Sequence, residues 1–371
     1  MNRVLGLVLI SLLAGGCATT GGVSSFKNAS DTSSVREKES RLWHEAGGFD
    51  TTIERSGQIY DDRRATAYLQ GVMDRLYPEF KGKIQVHIYD STQLNAFALP
   101  NGSIYFNIGL LARIENEAQL AAVLAHEAAH FVERHSFRQR VSAKNLSAFA
   151  VSGIPFSNLA AISSISGFSR DLEREADQKG YERLVKSGYN PHEAHKVFQT
   201  LANEVKALGT DEPYFFSSHP KLVERIDTFK ELAAKNKSGG RLGTEEYNRV
   251  MQPIRLEALQ KDVGQDRFKS VILVMEDNNL RRYYPAAGYY YLGEAYLRRD
   301  QKNDSQKALQ AFQTAEKLSP NFAPTHKRLG MHYMKSGDKG QALQHFNKYL
   351  GLAPSDAQDR SYVQQYINSL K

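Results

Sequence analysis

The chain has 371 residues, of which 41% are hydrophobic and 24% charged, so it has room for two folded domains with a substantial core. Its net charge of +7 is not concentrated in any block of lysine or arginine residues. We therefore expect no nucleic acid among its partners. The single cysteine, Cys17, excludes an internal disulfide.

The first residues predict a targeting segment. Arg3 precedes the apolar run VLGLVLISLL, which is too short to span a bilayer, and the small residues AGG then lead into Cys17 as in a bacterial lipobox. We expect 1–16 to be a lipoprotein signal peptide, Cys17 to be acylated, and the Gly/Ser/Thr-rich segment 17–35 to be a flexible linker. A plain signal peptide with a chance cysteine is the alternative. No later apolar run is long enough to predict a transmembrane helix.

The central part predicts a mostly helical domain with a small sheet. Over 61–76 the apolar residues recur at the i, i+3, i+4, i+7 spacing of an amphipathic helix. Residues 83–90 alternate between polar and apolar side chains and include β-branched residues, so they are a predicted strand. Residues 103–109 follow a Pro-Asn-Gly turn and are a second predicted strand. Further helices are expected from 116 to about 135 and over 169–190.

The tail contains an internal repeat. Four residues recur 34 positions later, namely Ala308, Phe312, Ala315 and Pro320 as Ala342, Phe346, Tyr349 and Pro354. A Leu-Gly pair with an aromatic residue three positions on precedes each set, and this pattern resembles tetratricopeptide repeats, which are helical hairpins. We predict two repeats and a capping helix over 286–371. The preceding segment, 236–285, is either a plain helical connection or a degenerate earlier repeat.

A candidate metal motif lies in the alanine-rich run 123–135. On a helix, His126 and His130 are about 40° apart, so both imidazoles can reach one ion, with Glu127 beside them. This is the H-E-x-x-H pattern of zinc peptidases, in which the glutamate acts on water. Three ionisable groups are costly to bury in an apolar helix without a shared partner. The alternative is a helix whose histidines are satisfied by neighbouring groups.

Zinc needs a third protein ligand, which must come from elsewhere in the chain. The long motif with a third histidine after a glycine is absent, and His135, five positions past His130, is predicted to face the wrong way. Further on, Glu173 and Asp177 are four positions apart on one helical face, and Glu175 points away. Spacing alone leaves two options: Glu173 is the ligand and Asp177 orients a ligand histidine, or the reverse.

These motifs together resemble a known family. The stretches NAFALPNG (95–102), LAHEAAH (124–130), SRDLEREAD (169–177) and SSHP (217–220) are followed by an arginine five positions after the proline. Their order and distances resemble those of the zinc metallopeptidases that include HtpX, the CAAX prenyl proteases and BepA. With a lipobox before and repeats after, the arrangement is similar to the BepA-like periplasmic branch. The resemblance implies a mostly α (α+β), zincin-type domain over 36–235 that binds one Zn²⁺ per chain.

The resemblance also assigns roles to residues. In that family the first glutamate of the E-x-x-x-D pair is the third zinc ligand, which corresponds to Glu173 and leaves Asp177 to orient a ligand histidine. The segment after Leu94 resembles the edge strand that aligns an extended substrate peptide, and a plain loop is the alternative. The edge-strand residues are Asn95, Ala96, Phe97 and Ala98.

Two further residues are candidates for the site. In the BepA-like branch the residue at His219 is a removable fourth zinc ligand that keeps the enzyme latent; a histidine that simply packs at a helix start is the alternative. The reaction also needs a donor to the oxyanion of its transition state, and His219 and Arg225 are both candidates. Glu127 is the expected general base.

The resemblance implies a zinc-dependent endopeptidase that hydrolyses unfolded or misassembled envelope proteins. It would lie in the periplasm, anchored to the outer membrane through Cys17, because Ala18 rather than an aspartate follows that cysteine. The repeats would dock on a partner, such as the outer-membrane assembly machinery, or on the catalytic domain itself. The alternative is a chaperone or adaptor that acts through its repeats with little or latent proteolysis, and such a protein would tolerate Glu127→Gln.

Overall fold

The structure, a computed structural model, describes residues 25–26, 31–142, 168–209, 222–236 and 239–371. Within these ranges the chain is mostly helical with one small sheet, and the expected fold class is confirmed. The expected signal peptide and Cys17 lie outside the described residues. None of the described helices combines the length and the apolar character needed to cross a membrane.

The first part of the chain contains the sheet and the helices around it. Two helices come first, α1 (Ser33–Arg55) and α2 (Arg63–Leu76), and then a 3-10 turn (Pro78–Phe80). The strands are β1 (Gln85–Tyr89), β2 (Ala96–Ala98) and β3 (Ser103–Asn107). The helices that follow are α3 (Ile108–Arg113), α4 (Glu117–Val132), α5 (His135–Ser142), α6 (Arg170–Lys186), α7 (Ala194–Leu208, after a 3-10 turn at Pro191–Glu193) and α8 (Leu222–Ala234).

The sheet has the order β1-β3-β2. The central strand β3 pairs in parallel with β1 and antiparallel with β2, with Phe97 opposite Tyr105. The short strand β2 therefore lies at an edge of the sheet. It also packs on helix α4, which brings this edge next to the helix that carries the H-E-x-x-H motif.

Helix α4 is the central element of the domain, and every one of its residues is buried. An alanine-rich helix that is apolar on nearly all sides needs neighbours all around it. Asn116 caps its first turn by accepting a backbone N–H. The buried carboxylate of Glu117 accepts hydrogen bonds from Arg75 and Tyr189, both at 2.8 Å, and from Tyr68. These contacts fix the start of α4 relative to α2.

The sequence-based prediction that this helix continues to about residue 135 was wrong. Helix α4 ends at Val132, and α5 begins at His135. Arg134 between them has a left-handed backbone with φ 57°, which breaks the helix. Its buried guanidinium pairs with Glu39 at 2.7 Å and Asp31 at 2.9 Å, so contacts with residues distant in sequence hold this turn.

The tail is entirely helical apart from short connections. It contains α9 (Thr244–Gly264), α10 (Phe268–Glu276), α11 (Asn278–Arg281), α12 (Ala286–Arg299), α13 (Asp304–Leu318), α14 (Ala323–Ser336), α15 (Lys339–Leu352) and α16 (Arg360–Leu370). The segment predicted as a helical connection thus contains α9, α10 and α11. Met251 and Ile254 of α9 belong to the core of the first domain, whereas Leu259 and Val263 belong to the first of two hydrophobic cores in the tail. Helix α9 therefore joins the core of the first domain to that core of the tail.

The two helical hairpins of the tail, α12–α13 and α14–α15, repeat the same close contact. A Cβ on Gly293 would lie 2.4 Å from the ring of Phe312, and one on Gly330 would lie 2.6 Å from the ring of Phe346. Both glycines belong to the predicted Leu-Gly positions, and both phenylalanines to the predicted 34-residue period. Each hairpin closes tightly because a glycine faces an aromatic ring. Assignment of the hairpins to tetratricopeptide repeats stays a prediction.

Candidate metal centre

Three side chains suited to metal binding converge between α4 and α6. The Nε2 atoms of His126 and His130 are 3.1 Å apart. The Glu173 carboxylate lies 3.5 Å from the first of these nitrogens and 3.6 Å from the second. All three residues are at least 98% buried, and their ligand atoms lie within 4.8 Å of one another.

These separations fit a divalent ion. Ligand atoms bound at about 2.0–2.2 Å to a tetrahedral zinc ion are about 3.3–3.6 Å apart. The three observed separations, 3.1, 3.5 and 3.6 Å, are close to that range before any ligand moves. Two imidazoles and a carboxylate, with a fourth position left over, are also a donor set typical of catalytic zinc sites.

Local structure brings the three donors together. His126 and His130 are one helical turn apart on α4, and Glu173 lies in the first turn of α6. Ser169 caps that turn by accepting the backbone N–H of Leu172. The two helices approach closely because Gly180 of α6 faces the backbone of His126, where a Cβ would lie 3.0 Å from the His126 Cα.

Asp177 and Arg225 support the first histidine. Asp177 Oδ1 lies 2.9 Å from His126 Nδ1, in position to accept its hydrogen and direct Nε2 at the candidate ion. Arg225 donates to the same carboxylate from Nη2 at 2.6 Å and from Nε at 3.2 Å, and its guanidinium stacks on Phe198. Burial opposes ionisation of Asp177, but Arg225 and His126 hold the pKa of this carboxyl below its usual value.

Arg225 is one of the two candidate donors to the oxyanion. Its paired contacts with Asp177 instead favour a positioning role, in which it holds the carboxylate that orients His126. The other candidate, His219, lies outside the described residues.

The electrostatics also favour a cation at this position. Burial and the nearby Arg225 both disfavour a proton on His126, yet the carboxylates of Asp177 and Glu173 outweigh them and raise the pKa of His126 to about 9. The carboxylates therefore stabilise positive charge at this imidazole. A divalent ion would supply that charge in place of the proton.

The second histidine has a different partner, which the sequence reasoning missed. His135 Nδ1 lies 3.0 Å from His130 Nδ1, and Phe168 stacks on the His130 ring at 4.0 Å. On its other side His135 Nε2 lies 3.5 Å from Glu175, which also pairs with Arg138 at 2.8 Å. Contact with His135 and Arg138 lowers the pKa of Glu175 to about 2. No spacing rule could have found His135, because the turn before it depends on distant residues.

The edge strand presents its backbone in a defined direction. Asn95 and Leu99 make backbone hydrogen bonds to β3, at 3.0 and 2.8 Å. Since antiparallel pairing alternates along a strand, the N–H and C=O groups of Ala96 and Ala98 point away from β3, toward the outer edge. Asn95, Ala96, Phe97 and Ala98 are all buried as whole residues, so the outward-directed backbone groups of Ala96 and Ala98 are covered in this structure.

Glu127 follows His126 on α4 and is 1% exposed. Its position in the H-E-x-x-H motif puts it beside the histidine pair on helix α4. The structure therefore brings together the motif residues, Glu173 and Asp177, and adds His135 to them.

Part of the chain matches a known protein family. Residues 63–233 match the family described as Peptidase family M48, and this segment contains all of the site residues described above.

Individual relatives match part of the chain. The chain is 25% identical over 213 residues to the "Beta-barrel assembly-enhancing protease" of Yersinia pestis, which covers 52% of the chain and 44% of the relative. It is 32% identical to the "Putative beta-barrel assembly-enhancing protease" of Vibrio cholerae, over 38% of the chain and 32% of the relative. It is 30% identical to the "Mitochondrial metalloendopeptidase OMA1" of Saccharomyces cerevisiae, over 41% of the chain and 48% of the relative. The chain thus spans less than half the length of each of these three relatives.

Proposed function

We propose that this chain is a zinc-dependent endopeptidase of the cell envelope. The premise is that residues 63–233 belong to peptidase family M48. The metallopeptidase family expected from the motifs is confirmed by that match. The observation that carries the proposal is the convergence of His126, His130 and Glu173 beside Glu127.

In the proposed mechanism, His126, His130 and Glu173 hold the zinc ion. When bound, zinc acidifies a water molecule and polarises the peptide carbonyl that the water attacks. Asp177 accepts the Nδ1 hydrogen of His126, and His135 holds His130 through its Nδ1. Each ligand imidazole is thereby fixed with Nε2 directed inward.

Glu127 is the proposed general base. Its carboxylate takes a proton from the attacking water and gives it to the amide nitrogen of the leaving group, so that the peptide bond is hydrolysed. Its burial keeps this carboxylate away from bulk water.

We infer that the substrate binds as an added strand along β2. The backbone groups of Ala96 and Ala98 that point away from β3 would pair with an extended peptide once they are uncovered, since both residues are buried in this structure. Only a segment free of its own secondary structure can offer its backbone in this way. The geometry therefore supports unfolded or misassembled proteins as substrates, in preference to compact folded ones.

The proposed location is the periplasmic face of the outer membrane, with Cys17 as the lipid-modified anchor. Two of the relatives carry names that refer to β-barrel assembly. By analogy we propose that this chain acts in quality control of misassembled outer-membrane proteins. The helical hairpins of the tail would contact the assembly machinery.

Cleavage of casein by the soluble chain lacking residues 1–17 tests the proposal. The wild type and Glu127→Gln are compared, with Glu133→Gln as a control for the same substitution at the end of the same helix. We expect cleavage that stops on zinc removal, returns when zinc is restored, persists in Glu133→Gln, and falls by at least about 100-fold in Glu127→Gln.

If neither the wild type nor Glu127→Gln cleaves casein while both bind zinc, His219→Ala is the next variant. The proposed latch at His219 predicts that this change raises proteolysis. Persistent inactivity of that variant would contradict the endopeptidase and favour an adaptor that acts through its tail.

A further inference from the structure

A second group of side chains that could bind a metal ion lies in the tail, on three consecutive helices. It consists of Glu316 on α13, His326 on α14 and His345 on α15. The Nδ1 atoms of the two histidines are 3.2 Å apart. Glu316 Oε1 lies 3.6 Å from His326 Nδ1 and 3.9 Å from His345 Nδ1.

The tautomer of His326 is determined by its surroundings. Its Nε2 lies 2.7 Å from the carbonyl oxygen of Pro320. A carbonyl only accepts, so Nε2 must carry the hydrogen, and Nδ1 of the neutral ring has a lone pair directed at His345 and Glu316. An imidazole that donates one N–H to a backbone carbonyl and presents its other nitrogen is the usual arrangement of a metal ligand. His326 is fully buried, which fixes this orientation.

The other two members are also held in place. His345 is 6% exposed and stacks on Tyr333, with ring centroids 5.4 Å apart and planes 11° apart. Burial lowers the pKa of His345, which favours the neutral, ligand-competent ring. Glu316 is about one-third exposed and reaches in from the edge, where Lys348 lies 3.9 Å from its carboxylate.

We propose that Glu316, His326 and His345 form a second metal site that binds a divalent transition ion, with zinc as the ion the donor set suits best. Imidazole nitrogens favour zinc over magnesium or calcium, which prefer oxygen ligands. Of the three donor separations, 3.6 Å lies within the roughly 3.3–3.6 Å expected around tetrahedral zinc, 3.2 Å is slightly shorter and 3.9 Å slightly longer. Water would complete the coordination.

The site would link the two hairpins of the tail. Glu316 belongs to the first hairpin, whereas His326 and His345 belong to the second. An ion shared by all three would hold the hairpins in one packing, because binding energy at a folded site adds directly to the stability of that fold. This role is structural and independent of peptide hydrolysis.

A simple hydrogen bond between the two histidines is the competing explanation. It requires His345 to keep a hydrogen on Nδ1 and donate it to His326. That arrangement binds no metal, so a count of bound ions separates the two explanations.

The test is the zinc content of the chain after equilibration with zinc and dialysis, for the wild type, His345→Gln, Glu316→Gln and the control His332→Gln. His332 lies on α14 outside this group of side chains. We expect His345→Gln to bind one zinc ion fewer per chain than the wild type and His332→Gln to bind the same number. Glu316→Gln should weaken zinc binding at this site by at least about tenfold.

The difference between variants does not depend on the proposed peptidase site, which contributes equally to every chain. Circular dichroism establishes that each variant is folded. If His345→Gln does not fold, Glu316→Gln decides the matter, because its partly exposed side chain can be changed without disturbing the core. Equal zinc content and affinity in the wild type and Glu316→Gln would overturn the proposal.

Discussion

His135 Nδ1 lies 3.0 Å from His130 Nδ1, so the second histidine of the H-E-x-x-H motif is oriented by another histidine. The first, His126, is oriented by the carboxylate of Asp177. The two candidate ligands therefore have partners of different charge. A carboxylate makes its histidine a stronger donor to a metal than a neutral imidazole does. The left-handed turn at Arg134 is what returns the chain to His130.

We expect His135→Ala to weaken zinc binding by about 10–100-fold, because the His130 ring loses the contact that fixes its orientation. Competition with a chelator measures the affinity directly. The control is His44→Ala, which changes an exposed histidine of α1. Zinc affinity equal to that of the wild type would show that His135 is not needed to hold His130.

The site residues that could be predicted from sequence are those set by local helical geometry. His126 and His130 are one turn apart, as are Glu173 and Asp177, so the 3.6-residue period places each pair on one face. His135 could not be predicted in this way. A continuous helix would direct it away from His130, and only the pairing of Arg134 with Glu39 and Asp31 changes that direction.

Arg225→Lys tests whether this arginine positions Asp177 or acts on the substrate. Lysine keeps the charge but loses the fork that donates from both Nε and Nη2 to one carboxylate. We expect zinc affinity to fall by about tenfold, and excess zinc to restore most of the peptidase activity. A donor to the transition state would instead lower kcat without changing zinc affinity. Arg174→Lys, at an exposed position of α6, is the control.

Gly180→Ala tests the close packing of α6 on α4. The new Cβ would lie 3.0 Å from the backbone N and Cα of His126, which cannot move aside as a flexible side chain can. We expect a loss of about 1–3 kcal/mol in the free energy of unfolding, measured by urea titration. Zinc affinity should fall as well, since Glu173 and Asp177 lie on the displaced helix.

The matched control is Gly48→Ala in the exposed part of α1, where a Cβ would meet no atom within 4 Å. Because alanine is the better helix former, this change should raise stability by about 0.5–1 kcal/mol. Equal gains in stability for both variants would show that the close contact at His126 does not affect the free energy of unfolding.

The fold could be predicted where a pattern repeats along the chain. The amphipathic stripe predicted α2, and alternation predicted β1, because each reflects burial of one face. The order of the strands and the sharing of α9 between two cores could not be read in the same way. Both depend on which distant surfaces meet. Residues of one helix give the same periodic signal whether they pack against one core or two.

The last prediction concerns the repeated glycine contacts of the tail. In Gly293→Ala a Cβ would lie 2.4 Å from the Phe312 ring, and in Gly330→Ala it would lie 2.6 Å from the Phe346 ring. Each change should lower the free energy of unfolding by about 1–3 kcal/mol, because the ring must leave its place between the helices. Gly351→Ala, on α15 with no atom within 4 Å of a Cβ, is the control and should be neutral or stabilising. Urea unfolding of the three variants measures these effects. Similar losses for the two contact glycines would support equivalent positions in a repeated unit, whereas a loss in only one hairpin would contradict the predicted repeat.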